Sequence, residues 1–183
     1  MAATPIPSQV VDSSAFDFRD LFDAHFTNVW GALRRLGVPE ADAEDAAHEV
    51  FLHVFRHRSD YDATRPMRPW LFGFAYRVAA DQRRRAHRRH EVLGEEVVAT
   101  DPASRADEQI ERAERRSLLM TALDSVDLHR RAVLVLHEWD GLPVPEAARA
   151  LGIPLNTAYS RLRVAREELA AAVKRLQARR GAR

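Results

Sequence analysis

The sequence predicts an all-α protein in which two small helical domains are joined by a flexible acidic linker. Apolar residues recur at helical spacing through the long segments, and no segment shows convincing strand alternation. Glycine and proline fall between the periodic segments, where helices end and begin. Residues 91–106 carry scattered glycine, proline and acidic residues without a period, and we place the linker at residues 91–117.

Composition excludes several classes of protein. The chain has 183 residues, 46% of them hydrophobic, which is enough for folded cores. It has no cysteine, so neither a disulfide framework nor a cysteine-ligated zinc site is available. No apolar run approaches the roughly 18 residues of a membrane span, and the first residues lack the features of a signal peptide. We therefore expect a cytoplasmic protein without membrane insertion.

Charge is strongly segregated along the chain, although the net charge is only +1. Four successive blocks, residues 1–60, 61–90, 91–128 and 129–183, carry −5, +6, −6 and +6. Two basic blocks separated by an acidic one suggest two nucleic-acid contacts joined by a segment that DNA repels. The cations are 27 Arg and one Lys, which suits bidentate phosphate and guanine contacts. A GC-rich genome would explain this preference for Arg over Lys equally well.

The first domain is predicted to contain three helices after a disordered tail, residues 1–15. A helical period covers residues 16–36, and the next helix, residues 40–57, follows directly. A polar loop at residues 58–69 precedes the third helix, residues 70–89, which ends in a basic run. The second of these helices has an apolar face for the core and an opposite face that is acidic and mixed. Candidate core residues are Ala47, Val50, Phe51 and Val54.

The second domain is predicted to end in a helix-turn-helix at residues 143–166, which read PVPEAARALGIPLNTAYSRLRVAR. Residues 105–122 are a candidate helix, and Asp127 is a candidate N-cap for the next helix, which runs through Trp139. Gly152 lies where the chain must turn sharply, and glycine accepts the positive φ of such turns. The following helix is basic, as expected of one that enters the DNA major groove. An ordinary αα-hairpin with a solvated basic face is the alternative. The last helix is predicted to end near residue 176, before a tail at residues 177–183.

Two blocks together resemble a known family. Residues 42–57 (DAEDAAHEVFLHVFRH) and 68–85 (RPWLFGFAYRVAADQRRR) resemble the first domain of bacterial sigma factors of the extracytoplasmic-function group. Residues 130–169 resemble their second domain. The resemblance implies a dissociable initiation subunit of RNA polymerase and not a catalyst. It would bind core polymerase, recognise the −10 and −35 promoter elements, and help to melt the −10 element.

The resemblance also implies which residues make each contact. Core polymerase would be bound by Asp45, His48, Glu49 and Leu52, which share one helix face. The −10 element, as a melted strand, would be bound by Tyr61, Arg65, Arg68, Trp70, Tyr76, Arg77, Arg83 and Arg84. These residues supply the rings and positive charge that single strands need. The −35 duplex would be bound by Asn156, Thr157, Tyr159, Ser160, Arg161 and Arg163.

Several positions depart from the family pattern or have a second interpretation. His48 stands where the family usually has Gln. The pair Tyr76–Arg77 stands where the family commonly has Arg-Asn, so the sequence does not indicate which DNA base is read at that position. Trp70 and Phe72 are either stacking surfaces or core residues. The acidic linker is either a nucleic-acid mimic inside the polymerase or a solvated tether.

Other functions have weaker support in the sequence. His53 and His57 are spaced like a metal pair, but two ligands are too few, so we expect no metal or cofactor. No nucleophile or phosphate-loop signature is present, so enzymatic activity is not expected. The alternatives are a stand-alone helix-turn-helix regulator and an interaction module that acts as a decoy. The family resemblance also implies an anti-sigma factor as a partner.

Overall fold

The computed structural model describes residues 17–93 and 107–181, and these ranges form seven α-helices and one short 3-10 turn without a strand. The predicted tail at residues 1–15 and the middle of the predicted linker lie outside the described residues. The all-α prediction is confirmed for the described part of the chain. We call α1 to α3 the first half and α4 to α7 the second half, with bounds given below.

The first two helices form an antiparallel pair joined by a tight turn. Helix α1 (Phe18–Arg35) begins after Asp17, whose carboxylate accepts a 2.8 Å hydrogen bond from the backbone N–H of Arg19. Gly37 has a φ of +93° and allows the sharp reversal into α2 (Glu40–Arg56). Both helices agree with their predicted positions within about two residues, because the apolar period and the turn residues coincide.

The third helix starts earlier than predicted. Helix α3 (Met67–Leu93) includes Pro69, which we expected to precede it. Pro69 is the third helical residue, and the N–H groups of a first turn have no intrahelical partner, so proline costs no hydrogen bond there. A 3-10 turn (Arg58–Asp60) occupies part of the predicted loop. The end of α3 lies inside the segment that we assigned to the linker.

The second half begins with helices α4 (Asp107–Asp124) and α5 (Leu128–Glu138). Helix α4 confirms the candidate helix at residues 105–122, so residues 107–117 of the predicted linker are helical; this stretch is rich in the strong helix formers Glu, Arg and Ala. The predicted cap is present, because the carboxylate of Asp127 accepts a 3.0 Å hydrogen bond from the N–H of His129. Residues 94–106 are the only part of the predicted linker that the structure leaves undescribed.

The helix-turn-helix is formed by α6 (Val144–Leu151) and α7 (Leu155–Gly181). Gly152 ends α6 with a φ of +64°, as predicted. The next N–H, of Ile153, donates to the carbonyl of Ala148 at 3.0 Å, which closes the C-terminal cap. Helix α7 continues beyond the predicted end at residue 176, where an Arg180–Glu114 ion pair of 3.0 Å joins it to α4.

Two apolar clusters hold the described helices together. The second cluster lies among α4 to α7, while the first cluster lies among α1 to α3 and also includes one side of α5 and α6. Helix α5 is therefore buried on two sides, by its own half and by the first half. We call the second-half residues of the first cluster the junction face; they are Leu128, Ala132, Val135, Leu136, Leu142 and Ala147.

Candidate nucleic-acid and partner interfaces

The predicted partner face of α2 is largely exposed, since Asp45, His48 and Leu52 are exposed and Glu49 is half-buried. Asp45, His48, Glu49 and Leu52 lie on the side of α2 opposite the buried Val50 and Val54. The imidazole of His48 packs against the rings of Phe22 and Phe26, and its Nδ1 lies 3.0 Å from the carbonyl oxygen of Glu44. The structure therefore brings together all four residues that the sequence placed on this face.

An aromatic residue that the sequence reasoning missed extends this face by one turn. Phe55 is 45% exposed and follows Leu52, which is 58% exposed. The Phe55 ring makes an edge contact with Phe18, and the guanidinium of Arg58 lies 4.5 Å above its centroid. Exposed large apolar side chains held in place by neighbours are typical of binding surfaces. The three-residue spacing from Leu52 was the signal in the sequence.

The predicted −10 residues on α3 divide between two sides of the helix. Trp70, Arg77 and Arg84 recur every seven residues and so lie on one side. Tyr76 and Arg83 also lie seven apart and occupy a different side. The structure thus does not gather the predicted set into one surface.

The first of these sides is aromatic and basic. The rings of Tyr61 and Trp70 lie 4.9 Å apart, and the Trp70 ring packs edge-on against Phe74 at 5.1 Å. The guanidinium of Arg77 lies 4.6 Å above the Phe74 ring. The hydroxyl of Tyr61 donates to the carbonyl of Arg65 at 2.7 Å, which fixes the loop. Trp70 is half-buried and so has both a packed edge and an accessible one.

Phe72, for which core and stacking roles were both open, is a core residue. It is buried in the first cluster, and its ring is therefore not available to bases. Arg84 pairs with Asp81 and Arg65 pairs with Asp62 at 3.0 Å, while both arginines remain exposed. Exposed pairs of this kind are weak, so both cations are available to phosphate.

The second side of α3 faces the second half of the chain. The hydroxyl of Tyr76 hydrogen-bonds to Nδ1 of His129 on α5. Burial raises the pKa of Tyr76, and the nearby positive charge of Arg161 acts in the opposite direction. Tyr76, predicted for the −10 element, thus contacts the second half of the chain, which the sequence did not indicate.

A polar cluster lies where the turn after α5 meets α1 and α3. His25, Arg68 and Asp140 line a cavity of about 30 Å³ there. Burial raises the pKa of Asp140, against the opposing charges of Arg35 and Arg68. Burial likewise lowers the pKa of Arg35, against the charge of Asp140. Asp140 and Arg35 thus each lose more hydration than the opposite charges nearby replace.

The start of α7 presents the predicted −35 residues. Asn156, Tyr159, Ser160 and Arg163 are exposed, and Tyr159 is 53% accessible. Thr157 and Arg161 are half-buried and lie further round the helix. The opposite side of α7 packs on α5 and α6 through Ala158, Leu162 and Ala165. This packing leaves the polar side of α7 free of contacts with α5 and α6, so that side can face a DNA groove.

Neither a metal site nor a membrane-spanning helix is found among the residues that the structure describes. Within residues 17–93 and 107–181, no group of three or more metal-ligating side chains is close enough to hold an ion. The described helices are also too polar or too short to cross a bilayer.

Comparisons with known proteins agree with this geometry. Residues 21–89 match the family described as Sigma-70 region 2, and residues 116–169 match the family described as Sigma-70, region 4. The chain is 32% identical over 148 residues to the ECF RNA polymerase sigma factor SigL of Mycobacterium tuberculosis, covering 80% of this chain and 83% of that protein.

Solved structures show the same architecture. CnrH in complex with the cytosolic domain of CnrY is 27% identical with a TM-score of 0.59, covering 86% of this chain and 87% of that one. The sigma factor RpoE of Bartonella quintana, in complex with the anti-sigma factor NepR, shares the fold with a TM-score of 0.69 and 20% identity, covering 86% and 97%.

The fold and the two matched regions together define a two-part helical protein whose second half carries a helix-turn-helix. The chain belongs to the sigma-70 family, in its extracytoplasmic-function group. It is an alternative sigma factor, which promotes promoter recognition and the initiation of transcription.

Proposed function

We propose that this sigma factor divides its work among three surfaces: α2 for core polymerase, α3 with its preceding loop for the −10 element, and α7 for the −35 element. The observation that carries the proposal is the exposed face of α2, where acidic and large apolar side chains adjoin one another. Soluble chains rarely expose such a face without a partner. The role is recognition, without a catalytic step, at the polymerase in the bacterial cytoplasm.

On α2, the contact with core polymerase combines charge and an apolar anchor. Asp45 and Glu49 supply negative charge that attracts a basic partner helix and orients the encounter. Leu52 and Phe55 supply the apolar surface that is removed from water on binding. His48 lies between these two parts, braced by the α1 aromatic rings, and completes the surface.

On α3, the aromatic and basic side is suited to a melted strand. The ring pair Tyr61–Trp70 offers stacking edges, and Arg77 and Arg84 offer charge along the same side. Base stacking on aromatic rings contributes about 1–3 kcal/mol per base, which favours the open strand over the duplex. Arg68, Tyr76 and Arg83 extend the contact once the second half no longer lies against them.

On α7, the exposed polar residues read the −35 duplex. Asn156 and Thr157 at the helix start are placed for phosphate, because N-terminal N–H groups of a helix attract anions. Ser160, Arg161 and Arg163 follow at spacings that reach base edges in the major groove. Tyr159, 53% exposed, supplies an apolar surface beside them.

A dedicated antagonist is part of the proposal. CnrH is solved in complex with the cytosolic domain of CnrY, and its structure matches 86% of this chain. We infer that an anti-sigma factor holds this protein until a signal releases it.

The test is transcription in vitro with bacterial core polymerase, this protein and a pool of genomic fragments, followed by sequencing of transcript ends. Start sites that share two upstream motifs at a fixed spacing support the proposal. Core polymerase alone and core with a Leu52→Asp variant are the controls. Footprints on duplex DNA without polymerase, together with no transcripts, would instead indicate a stand-alone regulator.

A further inference from the structure

Two large apolar side chains that the structure leaves exposed lie one turn apart at the start of α7. Leu155 is 43% exposed and Tyr159 is 53% exposed. Residues four apart on an α-helix are neighbours on one face, so these two side chains form a single apolar pair. About half of the pair is in contact with water, on the helix that we propose for the −35 element.

The apolar pair lies along one edge of the exposed side of α7. At about 100° of rotation per residue, Tyr159 and Arg161 are about 200° apart when counted through the exposed Ser160 between them. The buried Ala158 and Leu162 lie on the opposite side of the helix and pack in the second cluster. The surface of α7 that faces DNA is therefore apolar along one edge and basic along the other.

The polar side chains between these edges have partners in their own helix. The Ser160 hydroxyl donates to the carbonyl of Thr157 at 3.0 Å, and the Arg163 guanidinium donates to Glu167 at 2.7 Å. Exposed bonds of this kind are weak and can be exchanged for bonds to DNA. The apolar pair is different, because only an apolar partner can remove its carbon atoms from water without cost.

The major groove of DNA offers one apolar group that identifies a base. Thymine presents its C5 methyl group there, and apolar side chains recognise this group by contact. The other unmodified bases are identified in that groove by their hydrogen-bond donors and acceptors. An apolar edge on a helix that enters the major groove is therefore complementary to a thymine methyl group.

We propose that Tyr159, supported by Leu155, is a specificity-determining residue that selects thymine in the −35 element through its C5 methyl group. The proposal rests on the function proposed above and names the base that this edge of α7 reads. A tyrosine ring supplies a large contact area with few rotatable bonds, so ordering it in the groove costs little conformational entropy. The basic edge, with Arg161, then faces the other wall of the groove.

A purely structural role for the pair has a different signature. A tyrosine and a leucine four residues apart also stabilise a helix slightly, through their contact with each other. In that case, substitution of either residue lowers the stability of α7 without changing which base is preferred. The measurement must therefore respond to the thymine methyl group itself.

The test replaces thymine by uracil, which removes the methyl group and keeps the Watson–Crick pair. The −35 sequence is taken from the upstream motif that the transcripts share. Each thymine of that motif is changed in turn to deoxyuridine in a duplex promoter, and the affinity of this protein bound to core polymerase is measured. We expect uracil to weaken binding about fourfold at one position or more, the effect of removing one methyl group from an apolar contact.

Three variants assign the methyl contact to one side chain. Tyr159→Ala should weaken binding to the thymine promoter at least about fourfold and should no longer distinguish uracil from thymine. Tyr159→Phe keeps the ring and should keep the distinction. Arg161→Ala is the matched control, which should weaken binding but still distinguish the two bases. Circular dichroism and affinity for core polymerase report the folding of each variant.

The outcomes separate this proposal from the one on which it rests. Wild-type protein that gives no promoter-specific transcripts with core polymerase contradicts the proposed function itself. Three other results contradict the assignment of Tyr159 alone: a −35 motif without thymine, a wild-type protein that binds uracil and thymine equally at every position, or a Tyr159→Ala variant that still distinguishes them.

Discussion

Gly37 lies directly against the guanidinium of Arg131. A Cβ on Gly37 would stand 2.4 Å from Nη1 of Arg131. Gly37 belongs to the turn between α1 and α2, while Arg131 lies on α5 and is 1% exposed. The absence of a side chain in one half thus makes room for a buried cation of the other half.

Gly37→Ala is expected to destabilise the protein for two reasons. The φ of +93° is unfavourable for any L side chain, and the new methyl group overlaps the guanidinium. Gly152→Ala is the matched control, since its φ is +64° and nothing lies within 4 Å of an added Cβ. We expect a loss of about 1–2 kcal/mol for the control and at least about 1 kcal/mol more for Gly37→Ala. Urea unfolding followed by circular dichroism measures both, and equal losses would contradict the contact.

Arg131 is expected to stabilise the fold mainly through its hydrogen bonds to a backbone carbonyl and less through its ion pair. Its Nε and Nη2 donate to the carbonyl of Val126 at 3.2 and 3.0 Å, and Nη1 donates to Asp124 at 3.0 Å. The Asp124 side chain is 64% exposed, so water weakens that pair. Arg131→Met should lower the free energy of unfolding by about 2–4 kcal/mol and Asp124→Asn by less than about 1 kcal/mol. Similar losses in thermal or urea unfolding would assign the stabilisation to the ion pair.

Glu49→Lys is expected to weaken binding to core polymerase. The change reverses a charge in the middle of the exposed α2 face, so electrostatic attraction to a basic partner becomes repulsion. Asp23→Lys, an exposed charge reversal on α1, is the control. Titration of labelled protein with core polymerase should show a loss of about tenfold or more for Glu49→Lys alone. Unchanged affinity would move the interface to another surface.

Arg161→Ala is expected to impair recognition of the −35 element while core binding stays intact. A bidentate arginine contact with guanine contributes about 1–3 kcal/mol, so promoter output should fall about 5- to 150-fold. Arg175→Ala, an exposed change further along α7, should have little effect. Transcription from promoters with and without the −35 motif measures the loss. An equal fall in core affinity would show that Arg161 does not act through DNA.

Much of the fold could be read from local patterns. The period of apolar residues predicted the helices, and Asp127 and Gly152 have the capping and turn roles assigned to them. The errors lie at helix ends, at Pro69 and beyond residue 176, where helix propensity and a distant ion pair extend the helices. The sequence also placed the four partner residues on one face of α2, because residues three and four apart on a helix are neighbours.

The candidate site was less completely predicted. The sequence grouped Tyr76 with Trp70 as stacking rings, yet the structure puts them on different sides of α3 and bonds Tyr76 to His129. Phe55 was absent from the predicted partner face, although its side chain is 45% exposed in the structure. Whether a side chain is exposed depends on which residues distant in the sequence pack against it.

The sequence by itself predicted the helices that the described residues form, their order, the helix-turn-helix and the resemblance to the sigma-factor family. Only the tertiary structure decided that α5 is buried on two sides, that Gly37 accommodates Arg131, and that Asp140 lies beside Arg68. The physical reason is that apolar periodicity identifies a face that must be removed from water but does not specify which neighbour covers it. That choice is made by the shapes and charges of surfaces that are distant along the chain.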